Sequence, residues 1–122
     1  MPGNGDVFDG VRYFSRAVDF PEGDPKRELL LKLDEARDIA GIPFIINSGF
    51  RPGDPKSHGR GYAADIKAIG SRQRFLILRG LILAGFHRIG DYPRHYHADC
   101  DPSLPPEVCW RGKYKKDAKS DA

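Results

Sequence analysis

The chain has 122 residues, of which 39% are hydrophobic and 30% are charged, and its net charge is +3. These values are typical of one globular domain and exclude a disordered chain, which has fewer apolar residues and a larger net charge. No apolar run approaches the roughly 20 residues that cross a bilayer, and the N-terminus lacks the pattern of a signal peptide. We therefore expect a single domain over residues 1–122, with its core at about 12–110, cytoplasmic synthesis and no membrane insertion.

The first third of the chain predicts a packing arm, a helix and a strand. Residues 11–20 are short and mixed in character, which is typical of a segment that packs along a domain. Asp24 is a good N-cap, Pro25 favours the first helical position, and Gly41 is a good stop. Residues 43–48 are apolar and β-favouring, which predicts a strand. The predicted helix has apolar residues at helical spacing: Leu29, Leu30, Leu33, Ala36 and Ala40.

A loop, a second strand and a second helix follow. Residues 49–61 hold four glycines and two prolines, which predicts a loop. Residues 62–68 alternate well enough in polarity for a strand. Ser71 is a good N-cap and Gly85 a good stop for a helix between them. The apolar face predicted for this helix consists of Phe75, Leu78, Leu81 and Ile82.

Two further strands complete the predicted fold. Residues 86–90 and 95–99 each have the length and composition of a short strand, and turn-favouring residues at 91–93 join them. Strands and helices are mixed without the regular alternation that makes a parallel sheet. We therefore predict an α+β fold with a small, largely antiparallel sheet backed by helices.

Two short segments carry the residues of a metal site. Ser57-His-Gly-Arg-Gly-Tyr-Ala-Ala-Asp65 offers an imidazole and a carboxylate, and His95-Tyr-His-Ala-Asp99 offers two imidazoles and a carboxylate. Alternate side chains of a strand share a face, so the three groups of the second segment lie on one side. The glycines of the first segment let it turn back tightly. A histidine, a carboxylate and another histidine suit a catalytic zinc ion, because three protein ligands leave one position open.

Four motifs together carry a family resemblance: Ser48-Gly-Phe-Arg51, His58-x-x-Gly-x-Ala-x-Asp65, Ile89-Gly-Asp-Tyr-Pro93 and His97-x-Asp99. With these motifs the chain resembles the zinc D-Ala-D-Ala carboxypeptidases and endolysin-type peptidases, in particular their small phage and bacterial subgroup. The resemblance covers roughly residues 12–100. It implies the fold shared with the hedgehog signalling domain, and it implies that His58, Asp65 and His97 are the zinc ligands.

The resemblance also implies a reaction, which is hydrolysis of amide bonds in the stem or cross-bridge peptides of peptidoglycan with Zn2+ as cofactor. Arg51 is the candidate that holds a peptide carboxylate or stabilises the oxyanion. Many relatives have a catalytic acidic residue three positions before the last ligand, where this chain has Arg94. Asp91 is therefore predicted as the general base, with a plain turn residue as the alternative. His95 is predicted as acid or transition-state stabiliser, or else it only lines the cleft. Asp99 is a further catalytic candidate, or it orients the ring of the last ligand.

Two other functions stay open at this point. One is a zinc-bearing domain that binds the cell wall and has lost hydrolysis, which the arginine at position 94 favours. The other is a structural component of a phage particle. In each case we expect peptidoglycan peptides as partners, a monomer, and no nucleic acid, since no recognition motif is present. Without a signal peptide, the protein is expected to reach the wall after host lysis or inside a particle.

The C-terminal region adds two smaller expectations. Residues 111–122 are rich in lysine, which predicts a solvated tail, with weak attraction to an anionic polymer as the alternative. Cys100 and Cys109 match no zinc-finger or redox spacing. Reduced thiols are the expected state, although a disulfide across the intervening loop is conceivable.

Overall fold

The computed structural model describes residues 5–113, and within them it contains four helices and five strands. In chain order the elements are α1 (Arg16–Asp19), α2 (Arg27–Ala40), β1 (Ile46–Ser48), α3 (Ser57–Arg60), β2 (Ala63–Lys67), α4 (Ser71–Leu83), β3 (Arg88–Tyr92), β4 (His95–Asp99) and β5 (Val108–Arg111). The chain is therefore an α+β domain, as predicted. None of the helices in this part of the chain has the length and apolar character needed to cross a bilayer.

Helix α2 ends where the sequence predicts and begins two residues later. Gly41 follows the helix in the left-handed conformation, with φ of 74°, as a C-terminal stop requires. At the other end, the carboxylate of Asp24 accepts a hydrogen bond of 2.7 Å from the Arg16 guanidinium. Because that carboxylate is already engaged by Arg16, it does not cap the helix, which begins at Arg27.

The prediction of a largely antiparallel sheet needs a correction, because the sheet is mixed. Its strand order is β1-β2-β4-β3-β5. The pairings of β1 with β2, β2 with β4 and β3 with β4 are antiparallel, whereas β5 runs parallel to β3. Strand β5 lies beyond a proline-rich stretch, and the sequence did not predict it. Strand β4 has its predicted bounds, while β3 lies two residues later than predicted and is joined to β4 by Pro93 and Arg94.

One face of the sheet carries the hydrophobic core and the other carries polar residues. Ile66 of β2 pairs with Tyr96 of β4, and both side chains are buried in the core with residues of α2 and α4. Asp65 pairs with His97, so these two side chains share the opposite face. The fully buried large side chains of the core are Phe20, Leu29, Leu30, Leu33, Ile66, Ile77 and Leu81.

Helix α4 turns a different side to the core than the sequence predicts. Of the predicted apolar residues only Leu81 is buried, while Phe75 and Ile82 are 63% and 55% exposed. Gly80 lies against α2, where an added Cβ would be 2.5 Å from the carbonyl oxygen of Ala36. Only a residue without a side chain allows this close approach, so the side of α4 that carries Gly80 faces α2. The buried residues of this helix are Ile77, Gly80 and Leu81.

Two remaining predictions concern the C-terminal region. Cys100 and Cys109 are free cysteines, as expected. Most of the lysine-rich tail predicted at 111–122 lies outside the described residues, because the description ends at residue 113.

The contact at Gly80 generates a stability prediction. We expect Gly80→Ala to lower the free energy of unfolding by about 1–3 kcal/mol, because the new methyl group forces α2 and α4 apart. Urea unfolding followed by circular dichroism measures this. Arg72→Ala, at an exposed position of the same helix, should change the free energy by no more than about 0.5 kcal/mol. Equal stability of the two variants would contradict the close contact.

Candidate metal centre

The three predicted ligands converge at one point. His58, Asp65 and His97 each offer a ligand atom, and these atoms all lie within 4.8 Å of one another. Asp65 Oδ1 is 3.3 Å from His58 Nε2 and 3.2 Å from His97 Nδ1. A central carboxylate oxygen between two imidazole nitrogens is a donor set that can hold a metal ion.

Two structural features place the three ligands. The β2–β4 register sets Asp65 beside His97. His58 lies on α3, a one-turn helix inside the stretch that the sequence predicts as a loop. This turn needs a glycine at position 59, since a Cβ there would clash with the carbonyl oxygen of Asp54. The glycine-rich composition therefore serves a tight helical turn that brings His58 back over β2.

The protonation of His58 follows from its surroundings. His58 Nδ1 is 2.7 Å from the carbonyl oxygen of Gly49, and the ring is buried. A carbonyl oxygen only accepts hydrogen bonds, so Nδ1 carries the proton and donates it. The other nitrogen, Nε2, lies 3.3 Å from Asp65 Oδ1, where it donates a hydrogen bond when it is protonated and offers its lone pair to a metal ion when it is not.

Asp99 orients the ring of His97 from behind. Asp99 Oδ2 accepts a hydrogen bond of 2.7 Å from His97 Nε2, and its Oδ1 accepts one of 2.8 Å from Arg88 Nε. The carboxylate is 1% exposed and lies at the base of the site, behind the ring of His97. This geometry supports the second of the two roles that the sequence left open. With Nε2 held by Asp99, Nδ1 is the nitrogen of His97 that faces Asp65 and the metal position.

The electrostatics of the cluster favour a cation at its centre. Burial raises the pKa of Asp65, but hydrogen bonds from His58 and His97 outweigh burial and hold the pKa well below its usual range. Burial lowers the pKa of His97, but its hydrogen bonds to Asp65 and Asp99 outweigh burial and raise it. Asp65 is thus an anion at neutral pH, and it attracts either a proton on a neighbouring imidazole or a metal ion.

Two predicted catalytic residues stand beside this cluster. Arg51 Nη2 is 3.3 Å from Asp65 Oδ2, and hydrogen bonds to Ser48 and Asp54 hold the guanidinium at the rim. His95 Nε2 is 3.9 Å from Asp65 Oδ1, and its ring stacks on Tyr92 with centroids 4.6 Å apart. Burial lowers the pKa of His95 below its ordinary value. Both residues are brought to the site.

Asp91 is not brought to the cluster. It pairs with Tyr96 across β3 and β4, and residues paired in this way share a face, which here is the helix-covered one. Its carboxylate forms an ion pair of 2.7 Å with Arg74 of α4. The predicted role of general base therefore has no geometric support. The predicted turn at 91–93 is replaced by a two-residue turn at Pro93 and Arg94, so Asp91 lies within β3.

The sequence did not predict that Trp110 lines one side of the site. Trp110 of β5 lies with its ring centroid 5.4 Å from that of His97, and its Nε1 donates a 3.1 Å hydrogen bond to the Tyr92 hydroxyl. A Cβ at Gly90 would be 2.7 Å from the Trp110 ring, so the glycine lets the indole lie against the sheet. The glycine of the Ile89-Gly motif therefore indicates a close packing contact at this point of the sheet. The sequence did not reveal that contact, because it did not predict the fifth strand that makes it.

Asp101 is a second residue that the sequence did not single out. It accepts hydrogen bonds from Arg60 Nε at 2.7 Å and from Ser57 Oγ at 3.1 Å, and so ties both ends of α3 to the segment after β4. Burial raises the pKa of Asp101, but hydrogen bonds from Ser103, Arg60 and Ser57 outweigh it and lower the pKa to about 2. This carboxylate fixes the helical turn that carries His58.

An open cleft of about 610 Å³ lies above the cluster. Its lining residues include four cationic side chains, Arg51, Lys56, Arg60 and Arg88. Three carboxylates also line it, and each one is occupied: Asp54 contacts Arg51, Asp65 contacts the two histidines, and Asp99 contacts His97. Three of the four cations are paired in turn, Arg51 with Asp54, Arg60 with Asp101 and Arg88 with Asp99, so the cleft is lined mainly by ion pairs.

The role of Asp99 generates a prediction about metal affinity. We expect Asp99→Asn to weaken zinc binding by roughly 10- to 100-fold, because the ring of His97 loses its charged acceptor. Competition with a chromophoric chelator measures the affinity. Asp91→Asn makes the same change on the opposite face of the sheet and should bind zinc like the unaltered protein. The same affinity in both variants would contradict the orienting role.

Comparisons with known proteins give no family assignment. No family model, no curated protein and no solved structure matches this chain. The resemblance drawn from the four motifs therefore stays a prediction, and the geometry of the site is the observation on which a functional proposal rests.

Proposed function

We propose that the protein is a zinc-dependent peptidase that hydrolyses amide bonds in the stem or cross-bridge peptides of peptidoglycan. One observation carries the proposal, which is the convergence of ligand atoms from His58, Asp65 and His97 within 4.8 Å beneath an open cleft. The substrate class and the hedgehog-type fold rest on the motif resemblance. On this proposal the protein acts on the wall after lysis or delivery in a particle.

The donor set fits a divalent ion such as zinc. His58 Nε2, one oxygen of Asp65 and His97 Nδ1 would hold it, and hydrogen bonds to Gly49 and Asp99 already fix the two imidazoles in the required orientation. When bound, zinc polarises a carbonyl group and lowers the pKa of a water molecule toward neutrality. The protein's own residues then bind and orient the peptide and move the protons.

His95 is the best-placed group for proton transfer. Its Nε2 faces the cluster at 3.9 Å from Asp65 Oδ1, and its lowered pKa keeps the imidazole neutral near pH 7. A neutral imidazole accepts a proton at Nε2 and can pass it to the leaving amine. Stacking on Tyr92 limits the rotation of the ring. This assignment replaces the one that the sequence favoured for Asp91.

Arg51 is the best-placed group for binding the peptide. Its guanidinium is half exposed and reaches the cluster at 3.3 Å from Asp65 Oδ2. Lys56 lines the same cleft and adds positive charge, whereas the charge of Arg60 is balanced by Asp101. A guanidinium there can hold a peptide carboxylate through two hydrogen bonds or stabilise the oxygen that becomes negative during hydrolysis.

A second candidate function has one observation in its favour. All three carboxylates that line the cleft are occupied by cationic or imidazole partners, so none is a free general base. A zinc-bearing module that only binds cell-wall peptides, either alone or as part of a phage particle, needs no such base. The orientation of His95 is the reason for preferring the enzyme.

The proposal predicts metal-dependent cleavage of purified peptidoglycan. Incubation with the zinc-loaded protein should release new peptide termini, detected by mass spectrometry, and none should appear with a chelator. His97→Ala should lose both zinc and cleavage. His95→Gln should keep zinc and lower the cleavage rate by about 10²- to 10⁴-fold, the usual range for a lost acid or base.

Asp91→Asn is the matched control, since it lies on the opposite face of the sheet and should cleave normally. No cleavage by a folded, zinc-bearing protein that still binds peptidoglycan would reject the enzyme in favour of the binding module. Full activity of His95→Gln, or its loss in Asp91→Asn, would reject the assignment of His95.

A further inference from the structure

The outward side of helix α4 exposes large apolar side chains. Phe75, Ile82 and Leu83 are 63%, 55% and 63% exposed, although a helix that only covers a core carries polar residues on that side. An apolar groove of about 260 Å³ runs between them. A second groove of about 500 Å³ lies along the same helix, against Ile45.

The same side of the helix is positively charged. Arg72 and Arg79 are exposed, and helix α4 contains no aspartate or glutamate. Arg79 Nη2 donates a hydrogen bond of 3.0 Å to the carbonyl oxygen of Ile39, and its guanidinium lies 6.0 Å from the centroid of the Phe75 ring. Neither contact neutralises its charge. We call Arg72, Phe75, Arg79, Ile82 and Leu83 the basic apolar face.

The charge of this face selects among its potential occupants. A second copy docked helix to helix would place Arg72 and Arg79 of both copies in one interface, with no acidic residue on either helix to pair with them. A surface of anionic lipid offers phosphate groups for the arginines and an apolar layer directly beneath. The face meets both of these requirements.

The position of helix α4 in the fold agrees with such docking. Arg74, on the inward side of the helix, contacts Tyr96 on the helix-covered face of the sheet. His97 and the cleft lie on the opposite face of the sheet. A membrane that touches the basic apolar face would therefore leave the cleft open on the far side.

We propose that the basic apolar face docks the protein onto a membrane surface rich in anionic lipids. Phe75, Ile82 and Leu83 lie at the boundary of the acyl chains, and Arg72 and Arg79 contact the lipid phosphates. This inference rests on helix α4 alone and is independent of the proposed peptidase activity.

Co-sedimentation of the full chain with vesicles tests the proposal. The protein should pellet with equimolar phosphatidylglycerol and phosphatidylcholine, but hardly with phosphatidylcholine alone, and added salt should weaken binding. The double variant Phe75→Ser with Ile82→Ser should lose about tenfold or more in affinity. The double variant Arg72→Gln with Arg79→Gln should lose its preference for the anionic vesicles.

Val18→Ser is the matched control, because Val18 is 78% exposed on helix α1 and should not affect binding. Circular dichroism verifies that each variant is folded. The emission of Trp110, the single tryptophan, should not shift on binding, since the cleft faces away from the lipid.

Three results would overturn the proposal. The first is equal binding to both kinds of vesicle or to neither. The second is a blue shift of Trp110, which would place the cleft against the lipid. The third is a dimer in light scattering that the double variant Phe75→Ser with Ile82→Ser loses, which would identify a second copy as the occupant.

Discussion

The pairing register of β2 with β4 is the constraint on which the site depends. It sets Asp65 opposite His97 and, on the other face, Ile66 opposite Tyr96. A shift of one residue in either strand would turn its ligand into the core and an apolar side chain into the cleft. Burial of the apolar side chains on one face fixes the register of the two strands. The same register sets the metal ligands beside each other on the opposite, polar face.

Hydrogen bonds of two buried carboxylates then hold the histidine ligands in their orientation. Asp99 is 1% exposed and joins the ring of His97 to Arg88, while Asp101 holds the turn that carries His58. Such carboxylates are costly to bury without partners, and each of them has several. Their cationic partners lie in or beside the cleft. The same ion pairs therefore hold the ligands in place and line the cleft.

The sequence predicted the parts of the site that depend on local pattern. Alternation predicts the bounds of β4, and the motif resemblance implies the three ligands whose atoms converge. Non-local contacts decided the rest. Asp91 was misplaced because the hairpin register determines the turn, and the inward side of α4 because Gly80 meets another helix. Trp110 was missed because its strand, β5, pairs with β3 at the edge of the sheet.

Calorimetric titration of the metal-free full chain with zinc tests the central claim most directly, while the emission of Trp110 reports on the surroundings of His97. The account predicts one zinc ion per chain, a change in that emission, and loss of binding in His58→Ala and in Asp65→Asn. Absence of zinc binding, or unchanged binding in both variants, would contradict the account.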